Sequence, residues 1–125
     1  MPSYVVDTYA WIDYFRGVGS EKLKTIIDRG GNITPTIVLA ELKRKYVADG
    51  LVNFTGDLDY IKRKSDVVGL DENTAILAGE IRGAGPPQPG MGLVDCILLA
   101  FARTRGSKVL TGDKHFLGLP ETELI

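Results

Sequence analysis

The stretch Leu93-Val-Asp-Cys-Ile-Leu-Leu-Ala-Phe-Ala-Arg-Thr-Arg-Gly106, continued by Ser107-Lys-Val-Leu-Thr-Gly-Asp113, decides the fold. Val94, Ile97, Leu98, Phe101 and Ala102 have the i, i+3, i+4, i+7, i+8 spacing of a helix, and the apolar residues between them predict that it is largely buried. Gly106 closes it. Lys108 to Thr111 then reads as a strand and Gly112-Asp113 as a turn.

The same alternation runs back to the N-terminus. Ser3 to Asp7 is a short β-prone run, and Thr8 to Arg16 has helical spacing up to Gly17. Ser20 reads as an N-cap for a helix striped by Leu23, Ile26 and Ile27, which ends at Gly30-Gly31. Asn32 to Thr34 predicts a short strand feeding, through Pro35, a helix from about Thr36 to Asp49. Phe54, Leu58 and Ile61 predict another helix, Asp66 to Leu70 a strand, and Asp71 caps a helix carrying Leu77, Ala78 and Ile81. Gly83 to Gly92, rich in Gly and Pro, is a loop, and Thr122 to Ile125 is a candidate last edge strand. Strands alternating with helices imply a parallel sheet covered on both faces, because parallel neighbours need crossover connections.

The chain has 125 residues, within the size of one domain, and no linker or repeat divides it, so residues 1–125 are expected to share one core. An apolar fraction of 44% and a charged fraction of 25% are those of an ordinary soluble protein. The run Met1 to Asp7 reaches a charge too soon for a signal peptide, and no stretch approaches the roughly 18 apolar residues of a membrane span. Cys96 is the single cysteine, which excludes an internal disulfide and a cysteine-based zinc site; a cytoplasmic location is expected. The net charge of −1 gives no bulk attraction to nucleic acid, so any such binding needs a local basic patch or bound cations.

In an open parallel sheet, ligands sit beyond the carboxyl ends of the strands. That rule selects four of the 16 acids. Asp7 directly follows the first strand, and Asp113 follows the Lys108 to Thr111 strand by one glycine. Glu41 and Asp95 lie in the early turns of helices that start at the same edge. Asp95 is the most informative, because it interrupts an apolar run in which an unpaired buried carboxylate would cost several kcal/mol. Singly, each acid has an ordinary explanation: an N-cap or Asx turn for Asp7, a turn for Asp113, a solvated helix position for Glu41, a dipole partner for Asp95. Together they repel one another unless a cation intervenes, which points to a hard ion, Mg²⁺ or Mn²⁺. Thr8 and Thr111 are candidates to orient the carboxylates by hydrogen bonds.

The combination of Val5-Val-Asp7-Thr8, a helical Glu41 in Ala40-Glu-Leu42, Asp95 opening an apolar helix, and Leu110-Thr-Gly-Asp-Lys-His-Phe116 resembles a PIN domain of the VapC toxin type, over essentially the whole chain. The resemblance implies a three-layer α/β/α fold with strand order 3-2-1-4-5 and Mg²⁺- or Mn²⁺-dependent cleavage of single-stranded RNA by metal-activated water. It also implies a cognate antitoxin as protein partner. On this reading Asp7 and Asp95 are direct metal ligands, and Glu41 and Asp113 act through water or as base.

Candidate substrate contacts are Lys43, Arg44 and Lys45 after Glu41, or Lys62, Arg63 and Lys64, or Lys114, which is best placed by adjacency to Asp113; the ordinary reading of such a charge run on a helix is a solvated face. Tyr9, Trp11 and Tyr14 are placed either to stack bases or to pack in the core or a dimer interface, packing being the stronger reading. The aromatic content of Tyr9 to Phe15, with the resemblance, predicts a homodimer. His115 reads as a solvated turn residue and is left outside the site. A haloacid-dehalogenase-type phosphatase would need Asp-x-Asp where Asp7-Thr8-Tyr9 stands, and a receiver domain would need an acid pair that Asp13 is too far along to supply; neither accounts for Asp95. The remaining rival is a non-catalytic PIN-like module that binds RNA or protein.

Overall fold

The computed structural model describes residues 3–125; Met1 and Pro2, which open the run read above as lacking a leader, lie outside the described residues. The order of elements is β1 (Tyr4–Val6), α1 (Thr8–Arg16), α2 (Glu21–Arg29), β2 (Asn32–Pro35), α3 (Thr36–Asp49), α4 (Phe54–Lys64), β3 (Ser65–Val68), α5 (Glu72–Gly83), α6 (Leu93–Arg105), β4 (Lys108–Thr111), a 3-10 turn (Lys114–Phe116) and β5 (Thr122–Leu124). The five strands form one sheet in the order β3-β2-β1-β4-β5, and each neighbouring pair is parallel.

That order positions the site. The chain steps from β1 to β2 to β3 in one direction, then returns across the sheet to β4. Right-handed crossovers therefore place α1 to α4 on one face and α5 with α6 on the other, a three-layer α/β/α arrangement. The packing agrees: α1 to α4 touch one another, while α6 packs on α5 and against β1 and β4. The direction reverses between β1 and β4, so the crevice for a ligand opens beyond their carboxyl ends, where Asp7 and Asp113 stand.

Local chemistry explains the element ends. Ser20 Oγ accepts from the Leu23 amide at 3.2 Å and starts α2. Gly106, at φ 59°, ends α6 in the left-handed conformation, and its amide reaches back to the carbonyls of the last turn. Most strand ends lie within a residue of expectation, but β3 is displaced: it begins at Ser65, directly from the last turn of α4, and ends at Val68 rather than Leu70. Ser65 pairs in register with Asn32. Its hydroxyl donates to the Ile61 carbonyl at 3.0 Å and lies 2.7 Å from Thr34 Oγ1, so the strand is welded to the helix without a linker.

The core holds Val5, Val109 and Leu110 from the central strands, together with Leu23, Ile27, Leu42, Ile61, Leu98, Leu99 and Phe101 from the helices. Each such side chain stabilises the fold by about 1.5–3 kcal/mol on burial. Trp11 is fully buried, and its Nε1 donates to Thr34 Oγ1 at 3.1 Å. Tyr14 and Phe15 pack on Trp11 and on Tyr60 of α4, so most of the aromatic content of α1 is absorbed inside the molecule. Tyr9 alone of that group is largely exposed, at 54%. No helix among the described residues is long and apolar enough to cross a membrane.

Candidate active site

Asp7 is the first residue after β1. Its amide donates to the Leu110 carbonyl at 3.1 Å, which extends the β1–β4 ladder by one step and turns the side chain out over the sheet edge. The side chain is buried. Oδ1 accepts from the Thr8 amide at 2.6 Å and Oδ2 from the Thr111 hydroxyl at 2.7 Å. Among the described residues, no cationic side chain pairs with it. Burial pushes its carboxyl up from 3.8 to about 6; the Thr111 and Thr8 hydrogen bonds pull the other way, and Glu41 and Asp113 push it up further.

The other three acids gather around it. Thr8 Oγ1 donates to Glu41 Oε1 at 3.2 Å, which ties α3 to the start of α1. Thr111 Oγ1 accepts from the Asp113 amide at 2.9 Å while donating to Asp7, so one hydroxyl sets the spacing of two acids. Asp113 starts the 3-10 turn by accepting from the His115 amide at 2.9 Å. Asp95 sits in the first turn of α6, and its Oδ2 accepts weakly from the Gly92 amide at 3.4 Å. It is half-buried at the cavity wall rather than sunk in the apolar layer that flanks it in sequence. Burial first, then the nearby Asp113 charge, holds its carboxyl above the usual range.

These four acids line one cavity of about 160 Å³ with Thr8, Tyr9, Ile12, Arg44 and Lys45. At about 30 Å³ per water, that space suits a hydrated divalent ion. Four carboxylates, one of them buried without a cationic partner, form a donor set of the kind that hard cations take. The residues present therefore fit such an ion.

Of the basic residues singled out in the sequence, Arg44 lines this cavity. Lys43 lies over the Phe54 ring at 4.6 Å, away from the acids. Lys45 reaches the cavity wall but is paired with Asp49 at 3.2 Å. Lys114 is exposed on the 3-10 turn and is not part of the lining. Lys62, Arg63 and Lys64 sit at the end of α4, by the start of β3, and so at the opposite edge of the sheet. The residue that the sequence reading left out is His115: its Nδ1 lies 3.1 Å from Asp95 Oδ2 and 3.5 Å from Asp113 Oδ1. Its position two residues after Asp113 was the available signal, but only the placement of α6 shows that the ring turns back toward the acids.

A parallel sheet of this order with acids converging at its switch point defines a class of α/β domain with an acidic cleft. The family model for the PIN domain matches residues 4–121, and the chain belongs to that family. No curated protein sequence matches it significantly. Among solved structures, it resembles a toxin–antitoxin complex chain from Klebsiella pneumoniae, with a TM-score of 0.72, 20% identity, and 96% of this chain and 95% of that chain covered. It also resembles VapC20 of Mycobacterium tuberculosis, described as a sarcin-ricin loop cleaving toxin, with a TM-score of 0.72, 16% identity, and 98% of each chain covered. A third likeness is to DNA-bound VapBC from Salmonella typhimurium, with a TM-score of 0.68, 23% identity, and 100% of this chain and 98% of that chain covered.

Proposed function

We propose that this protein is a Mg²⁺- or Mn²⁺-dependent endoribonuclease that cleaves single-stranded RNA, and that it is the toxin of a toxin–antitoxin pair. The observation that carries the reading is the buried Asp7 carboxylate, raised in pKa by burial and facing Glu41, Asp95 and Asp113 across one small cavity. A cluster of carboxylates without a cation destabilises the fold, a cost that a bound ion would offset.

Asp7 and Asp95 are the proposed direct ligands. A bound divalent ion supplies acidified water and positive charge at the phosphoryl oxygens. The protein's own part is positional. Thr111 fixes Asp7 and Asp113 relative to each other, and Thr8 fixes Glu41. Glu41 Oε1 is occupied by the Thr8 hydroxyl, which leaves Oε2 to take the proton of the attacking water; Asp113 is the other candidate base. Arg44 on the cavity wall is suited to hold a phosphate oxygen in a forked contact. Tyr9, exposed at the same rim, is suited to stack a base.

The partner is inferred from relatives described as toxin–antitoxin complexes. It is supported by an apolar groove of about 370 Å³, lined in part by Phe15, Tyr46, Leu51 and Val52, which shares Ile12 and Lys45 with the acidic cavity. A protein seated there would lie beside the acids.

The test is cleavage of a mixed-sequence RNA by purified protein with Mn²⁺ or Mg²⁺, with EDTA, and by an Asp7→Asn/Asp113→Asn variant purified identically. Cleavage that requires the ion and is lost in the variant is expected. Undiminished cleavage in chelator, or no cleavage with either ion, overturns the enzymatic reading.

A further inference from the structure

We propose that His115, at the margin of the acidic cleft, contributes Nδ1 as a nitrogen ligand to a divalent ion held at its Asp95–Asp113 end, and thereby biases the site toward Mn²⁺ and Co²⁺ over Mg²⁺. The inference rests on the metal-dependent reading above. It concerns a residue that the four-acid set does not contain.

Three chain segments bring these groups together: the first turn of α6 carries Asp95, the end of β4 leads to Asp113, and the 3-10 turn carries His115. One ligand atom from each lies within 4.8 Å of the other two. Nδ1 is 3.1 Å from Asp95 Oδ2 and 3.5 Å from Asp113 Oδ1. In an octahedral complex with metal–ligand bonds of about 2.1 Å, adjacent ligand atoms are about 3.0 Å apart. The observed separations are thus close to those of neighbouring ligands on one ion, before any contraction around it, which on this inference makes Asp113 a direct ligand and leaves Glu41 as the base.

The ring is also held from behind. Gly90, at φ 85°, passes so close that a Cβ there would lie 3.3 Å from His115 Nε2 and 3.5 Å from Cδ2. The loop that contains Gly90 is anchored to the far side of the turn by Gln88 Nε2, which donates to the Leu117 carbonyl at 2.8 Å. The Nε2 edge therefore faces the loop, and Nδ1 is the nitrogen turned to the carboxylates. The competing role is a hydrogen-bond donor that merely orients Asp95. The two roles differ in a measurable way: an orienting donor supports every ion alike, whereas an imidazole ligand adds little for Mg²⁺ and more for transition ions, in the order Mn²⁺ then Co²⁺.

The experiment titrates Mg²⁺, Mn²⁺ and Co²⁺ separately into wild type, His115→Ala and His115→Gln by calorimetry, with circular dichroism to verify folding, and records pulsed EPR of the Mn²⁺-loaded proteins. The Kd for Co²⁺ should rise by about tenfold or more in both variants, that for Mn²⁺ by less, and that for Mg²⁺ by less than about twofold. Wild type with Mn²⁺ should show coupling to a directly bound ¹⁴N, lost in both variants. Ion binding to wild type without nitrogen coupling, or an equal loss for all three ions, overturns the role of His115 and leaves the acidic site standing. Absence of ion binding to wild type overturns both.

Discussion

At the scale of the residue, Asp7 concentrates the conflict between fold and proposed function. Its folded-state pKa of about 6 lies above the ordinary 3.8, so between those values the native state holds a proton that the unfolded chain has lost. Stability of the ion-free protein should then fall as pH rises through that window, by about 3 kcal/mol in total at 1.36 kcal/mol per unit. Asp7→Asn keeps the acceptor for the Thr8 amide and removes the charge. Urea melts without divalent ions should find Asp7→Asn more stable than wild type at pH 7, with the gap closing toward pH 4. A gap independent of pH would mean that Asp7 is not held against ionisation by burial. The sequence exposed this residue through its place after the first strand and offered Thr111 as a hydroxyl to orient the carboxylates, but not which acid that hydroxyl holds, which is Asp7. The nearness of His115 to the acids was hidden because it depends on where α6 sets Asp95, a contact across 20 positions that no local pattern encodes.

At the scale of the element, the welding of α1 to the sheet is what presents Asp7 at a fixed angle. Trp11 Nε1 donates to Thr34 Oγ1, that hydroxyl lies against Ser65 Oγ, and Ser65 donates to the Ile61 carbonyl, so α1, β2, β3 and α4 share one buried hydrogen-bonded chain. Thr34→Val preserves shape and breaks the chain at its middle, leaving the indole N–H without an acceptor. A loss of about 1–3 kcal/mol is expected in urea unfolding, with an unchanged m-value. A loss below 0.5 kcal/mol, typical of a neutral substitution, would show that water or a repacked side chain satisfies the indole. Helix ends were legible because caps are local: Ser20, Gly17 and Gly106 announce themselves in sequence. The start of β3 was not, since Ser65 is drawn into the sheet by Asn32 and Thr34 from a distant strand, and tertiary pairing overrides the weak local signal of Ser65-Asp66.

At the scale of the whole molecule, the strand order makes the cleft, and on the proposed function ion binding there would be coupled to global stability. Asp95 tests that coupling, because it brings an α6 carboxylate from the face opposite α3 into a cavity shared with Glu41. If Asp95 is a ligand in a crowded acidic site, Asp95→Asn removes one repulsive charge, and the ion-free variant should melt at the same temperature as wild type or higher. Mg²⁺ should then raise the wild-type melting temperature more than the variant's, since a ligand at a hundredfold excess over its Kd stabilises by about 2.7 kcal/mol. For a domain of this size that corresponds to a shift on the order of 10 °C. If Asp95 serves only the helix dipole, the substitution should instead lower stability by roughly 0.3–1 kcal/mol and leave the Mg²⁺ response intact. The two readings thus differ in the sign of the ion-free shift and in the size of the ion-induced one. Melting curves of wild type and Asp95→Asn, each with EDTA and with Mg²⁺, measure both, and a variant that keeps the full wild-type response to Mg²⁺ removes Asp95 from the proposed ligand set.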